Sequence, residues 1–125
     1  MFCSIIIIME NKNEVLKLMI LLSFSDKEFH KNEEEMIKKL SKKHKLPVEK
    51  MNDIYEEIKN SDEDFIDMCV DTIEPIKDLE TRKLTLSMLA QLSLADFILH
   101  EDEVITLELI AEKWDMYINS LRSYK

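Results

Sequence analysis

The sequence predicts an all-α fold, a compact bundle of about six helices built from two helix-loop-helix repeats related by a pseudo-twofold axis. Three observations carry that expectation. Glycine is absent and the only prolines are Pro47 and Pro75, so hairpin turns that need positive φ lack their usual residue. Apolar residues recur at the 3.6-residue spacing of helices along most of the chain. An apolar segment followed by an amphipathic one also returns in the same register 70 residues later, the signature of an internal duplication.

The elements follow in order. Phe2 to Met9, with Ile5, Ile6, Ile7 and Ile8 in a row, is far too short to span a bilayer. It lacks the basic leader and small-residue cleavage site of a signal peptide, and the polar run Glu10-Asn11-Lys12-Asn13-Glu14 follows at once. Residues 1–12 are therefore an extension: either translation starts at Met9, or the segment packs as an arm on the domain. A first helix near 13–25 is apolar on most sides (Val15, Leu16, Leu18, Met19, Ile20, Leu21, Leu22 and Phe24), as a central helix is. A second, near 31–45, aligns Ile37, Leu40 and His44 and stops before Leu46-Pro47, because the residue preceding proline avoids the α region. The third, near 48–60, shows Met51, Ile54, Tyr55 and Ile58 on one face. The fourth starts after Ser61, whose spacing to Asp64 is that of a cap; it carries Phe65, Cys69 and Ile73, and Pro75 ends it. The fifth, near 79–95, is again rich in apolar residues (Leu84, Leu86, Met88, Leu89, Leu92, Leu94). The sixth, near 102–119, aligns Leu107, Ile110, Ala111, Trp114 and Ile118. The domain thus spans 13–119, with repeat units at about 13–46 and 83–116 and a polar tail over 120–125.

Composition removes several function classes. A chain of 125 residues suits one domain with one core. Without glycine there is no P-loop, dinucleotide fingerprint or glycine-built nucleophile elbow. A net charge of −9 repels nucleic acid and anionic membrane. Lys38, Lys39, Lys42, Lys43 and Lys45 follow Glu33, Glu34 and Glu35 on one helix, an order that complements the helix dipole. Cys3 and Cys69 form no Cys-x-x-Cys pair, which leaves reduced thiols in a cytoplasmic protein as the simplest reading.

The repeat is the informative feature. Shifted by 70 residues, Leu16 falls on Leu86, Leu22 on Leu92, Ser23 on Ser93, Asp26 on Asp96, His30 on His100 and Glu33 on Glu103. Phe29 meets Leu99, Ile37 meets Leu107 and Leu40 meets Ile110, with no gap. The shared core reads Asp-x-x-(Phe/Leu)-His-x-x-Glu between an apolar and an amphipathic helix. One reading is structural: His-x-x-Glu resembles a capping box with His in the Ser/Thr place, acid in the first turn suits the dipole, and Asp pins the turn. The other is chemical. If the repeat axis brings Asp26, His30, Glu33, Asp96, His100 and Glu103 together, their carboxylates suit Ca or Mg and their imidazoles pull towards Zn, Mn or Fe.

Sharper versions fail on spacing. An EF-hand needs glycine at position six and glutamate at twelve, whereas the twelfth residue from Asp26 is Ile37 and from Asp96 is Leu107. Di-iron bundles use Glu-x-x-His, the reverse of the order here. Ser23 and Ser93 read as serines bonded back into their own helices rather than nucleophiles. His44 aligns with Trp114 and reads as a core-facing aromatic.

These residues resemble the tellurite-resistance TerB-like family, whose domains repeat an apolar helix ending in Ala-Asp-Gly, a short link with one aliphatic residue, and a helix opening with acids. Leu94-Ala95-Asp96-Phe97-Ile98-Leu99-His100-Glu101-Asp102-Glu103 is the closer copy and Ser25-Asp26-Lys27-Glu28-Phe29-His30-Lys31-Asn32-Glu33 the looser one. Asp78-Leu79-Glu80-Thr81-Arg82 also resembles the family's Asp-x-Glu-x-Arg lead into a helix, and the likeness spans about 13–118. The departure is the glycine after each Asp, replaced by Lys27 and Phe97. The resemblance implies a bundle with a pseudo-twofold and an acidic surface that binds metal ions or partner proteins in stress responses.

The resulting expectation is a non-catalytic, cytoplasmic binding or sensing module with no membrane insertion. Asp26, Glu33, Asp96 and Glu103, edged by His30 and His100, would contact a divalent metal ion or a protein partner. The alternative is a purely structural adaptor whose motif only caps helices.

Overall fold

A computed structural model describes residues 10–24, 31–94 and 101–116. Over these residues the chain forms six α-helices: α1 (Lys12–Ser23), α2 (Lys31–His44), α3 (Met51–Lys59), α4 (Phe65–Ile73), α5 (Leu79–Ser93) and α6 (Glu101–Lys113). No strand occurs among the described residues. The expected all-α bundle is therefore the fold. The Ile5–Ile8 stretch, Cys3, Ile118 and the tail lie outside the described residues.

α1 is the central post. Every residue from Leu18 to Ser23 is buried, because α2, α3, α4, α5 and α6 all pack around it. A helix apolar on all sides has no other stable place. α5 lies against α1 and completes the core with Leu86, Met88, Leu89 and Leu92, while Ile37, Leu40, Leu107, Ile110 and Trp114 join the same cluster from α2 and α6. The contacts between units are reciprocal: α1 meets α6 as α5 meets α2.

The 70-residue offset persists in the backbone: α1 ends at Ser23 and α5 at Ser93, and α2 begins at Lys31 and α6 at Glu101. It extends to how the second helix of each unit stops. Lys45 (φ 58°) and Asp115 (φ 55°) are both left-handed. Leu46 N–H then donates to the Ser41 carbonyl, and Met116 N–H to the Ala111 carbonyl, each at 2.8 Å. This six-to-one closure is a Schellman stop, with its apolar residue following the left-handed one. Leu46 is buried and Met116 packs against the core. Glycine normally fills the left-handed place; this chain has none, and lysine and aspartate carry the strain instead.

Three expectations about element ends are corrected. The sixth helix stops at Lys113 rather than near 119, because the left-handed turn at Asp115 cannot continue a helix. Residues Val48–Lys50 form a 3-10 turn before α3. Asp64, not Ser61, caps α4: its side chain accepts from Ile66 N–H at 3.1 Å, while Ser61 Oγ accepts from Glu63 N–H in the turn before. Asp78 caps α5 by accepting from Thr81 N–H at 2.9 Å and Thr81 Oγ1 at 2.8 Å. Thr81 Oγ1 in turn accepts from Glu10 N–H at 3.1 Å, which ties the chain before α1 to the start of α5.

Candidate functional site at the repeated turn

The repeated motif straddles the link between the first and second helix of each unit. On its near side, Ser23 and Ser93 are buried and donate from Oγ to the Met19 and Leu89 carbonyls at 3.1 and 3.0 Å. Both serines therefore have ordinary back-bonding roles, as their position at the end of apolar helices predicted. On its far side stand Glu33 and Glu103, in the first turns of α2 and α6. Asp26, His30, Asp96 and His100, with the intervening Phe29 and Leu99, lie outside the described residues.

Glu33 and Glu103 were expected on an acidic surface. They are instead interior, 2% and 1% exposed. The reason is register: Glu33, Ile37, Leu40, Ser41 and His44 fall on one stripe of α2, and Glu103, Leu107, Ile110 and Ala111 on the matching stripe of α6, which Trp114 continues just beyond its end. Each stripe faces the core, so its first member is carried inward. Burying a carboxylate is expensive without compensation, and both are engaged by neighbouring groups. The positive end of each helix dipole adds a favourable term at that position.

The described part of the motif thus consists of two duplicated pairs, a buried serine closing one helix and a buried glutamate opening the next. Among the described residues no group of three or more His, Cys, Asp or Glu is arranged to hold a metal ion.

Negative charge does gather on the surface elsewhere. Glu63, Asp67 and Asp71 follow one another at four-residue spacing before and along α4 and are exposed. The Glu63 carboxyl titrates above its usual range, chiefly because it hydrogen-bonds Asp71, with slight desolvation and the charges of Asp71 and Asp67 acting the same way and Lys17 opposing. Lys17 also pairs with Glu57 at 3.0 Å. The spacing of Glu63, Asp67 and Asp71 was a usable signal that the repeat overshadowed.

His44 is half-buried, and its imidazole titrates below the usual value through that burial and the charge of Lys43. Trp114, at the equivalent place, is buried. Cys69 is buried, which with the charge of Asp64 pushes its thiol up to about 12. It is an inert core residue rather than a reactive one. No helix among the described residues is long and apolar enough to cross a membrane.

No curated protein and no solved structure matches the chain. The family described as Tellurite resistance protein TerB matches residues 14–116, from the first turn of α1 to the Schellman stop after α6. With that match covering most of the 125 residues, and with the helical bundle in place, the chain belongs to the TerB family.

Proposed function

We propose that this protein is a non-catalytic, cytoplasmic sensing module of stress responses, whose two repeated turns bind a divalent cation. Asp26, His30 and Glu33 from one unit and Asp96, His100 and Glu103 from the other would supply the donors. Carboxylate oxygens favour Ca or Mg, and the imidazoles shift preference towards Zn, Mn or Fe. The observation that carries the reading is the duplicated burial of Glu33 and Glu103 at the same register of α2 and α6. An acid held in the interior, next in sequence to a link rich in further donors, is a position where a cation's attraction is strengthened by low local dielectric.

A second reading has its own support. Glutamate in a helix's first turn complements the dipole, so the motif can also serve as a staple in an adaptor that meets protein partners through another face. The exposed row Glu63, Asp67 and Asp71 suits a basic partner surface.

Thermal unfolding of chelator-treated protein, with and without Ca, Mg, Mn and Zn, separates the two. A ligand at about one hundred times its dissociation constant stabilises by roughly 2.7 kcal/mol, a shift of several degrees for a domain of this size. The sensing reading expects such a shift for one ion, lost in Asp26→Asn/Asp96→Asn. No shift with any ion, and a double variant that melts lower by itself, selects the staple.

A further inference from the structure

A second site of opposite charge lies between α4, α5 and α6. A pocket of about 220 Å³ there is walled by Val70, Ile73 and Trp114 and rimmed by Lys77, Arg82 and Lys113, with Glu74 beside them. Three cations around one cavity are unexpected on a chain of net charge −9. Arg82 is fixed from two sides: its Nε donates to the Ile76 carbonyl at 2.7 Å, and its guanidinium carbon sits 5.4 Å from the Trp114 ring centroid. That leaves the outer face of its fork available, and planar recognition of carboxylates is what arginine does best.

The Trp114 ring is 6% exposed and lines the pocket, so a ligand there meets an aromatic wall largely shielded from water.

The charge balance selects the ligand class. α4 ends at Ile73 and α6 at Lys113, so two helix C-termini, each equivalent to roughly half a negative charge, meet at the pocket. Together with Glu74 they cancel about two of the three cations. The remainder is about one positive charge, which matches a monoanion better than a phosphate dianion. The volume is below the roughly 300–1,000 Å³ of sites for drug-sized ligands, and the walls are apolar.

We propose that this pocket binds a short-chain monocarboxylate, its head held by Arg82, Lys77 and Lys113 and its apolar body against Val70, Ile73 and the Trp114 ring. The site is independent of the repeated turns. Trp114 is the sole tryptophan, so its fluorescence reports occupancy directly.

The test titrates the full chain with hexanoate, hexan-1-ol and hexylammonium, three probes with one body and different heads. The expected result is a saturable fluorescence change with hexanoate alone, weakened about tenfold or more in Lys77→Gln/Lys113→Gln. Both lysines are exposed, so that variant keeps the fold. Arg82→Gln should abolish the response, with circular dichroism to check that loss of the Ile76 contact has not unfolded it. An equal response to hexan-1-ol or hexylammonium overturns the proposal, as does no saturable response to hexanoate or an affinity unchanged by the lysine substitutions.

Discussion

Replacing Lys45 or Asp115 by glycine should stabilise this protein, although glycine is the least favourable non-proline residue inside a helix. Both positions sit at left-handed φ, 58° and 55°, immediately before the hydrogen bonds that close α2 and α6. A non-glycine residue there carries roughly 1–2 kcal/mol of steric penalty. Glycine removes it but gives back about 0.5–1 kcal/mol through the greater freedom of its unfolded chain. Lysine carries the larger steric penalty with a charge that suits the helix C-terminus; aspartate carries the smaller penalty with the wrong charge. These corrections oppose, so each substitution should gain about 0.5–1 kcal/mol. The two sites close different helices and should add, raising the midpoint of Lys45→Gly/Asp115→Gly by about 4–8 °C. Lys42→Gly and Glu112→Gly, three residues earlier at equivalent exposed positions of α2 and α6, are the controls and should each lose about 1 kcal/mol. Urea and thermal unfolding of the parent and the five variants measure it. If Lys45→Gly and Asp115→Gly lose stability as the controls do, the duplicated left-handed stop is wrong.

Other consequences follow from single contacts. Asp78→Ala removes the α5 cap and strands the buried Thr81 hydroxyl, which should cost about 2–3 kcal/mol; adding Thr81→Val should recover part of that loss in a double-mutant cycle. The His44 imidazole titrates low in the fold because burial and then Lys43 disfavour its charge. Its contribution to stability is therefore full above the unfolded value near 6.5 and is lost as pH falls from there through the lowered folded value. His44→Gln should flatten that limb of a urea-midpoint-against-pH curve, and an unchanged limb assigns the loss to other groups. Cys69, with its thiol at about 12, should resist a thiol reagent at neutral pH in a Cys3→Ser background and react on unfolding; fast native labelling contradicts its burial.

Much of this was legible because packing and periodicity agree. α1 reads as central since no face of Leu18–Leu22 is polar, and the 70-residue register pairs Ser23 with Ser93 and α2 with α6 from the sequence alone. The helix ends were less legible. The signal for a left-handed stop is glycine, and a chain without it gives no warning at Lys45 or Asp115. Glu33 and Glu103 were misplaced on the surface because charge in a first turn usually faces solvent; counting them on the stripes with Ile37 and Leu107 would have turned them inward. The basic pocket was hidden twice over, by an overall negative charge and by cations scattered at Lys77, Arg82 and Lys113. Only the convergence of two helix C-termini brings them together.

Direct titration shows whether the duplicated acidic links form a cation site. Chelator-treated protein would be titrated calorimetrically with Ca, Mg, Mn and Zn, alongside Glu33→Gln/Glu103→Gln, which keeps the side-chain shape and removes the buried charges. At least one ion should bind the parent chain saturably, and that binding should weaken sharply or disappear in the variant. Binding of equal strength in both proteins, or no binding of any ion by the parent chain, contradicts it.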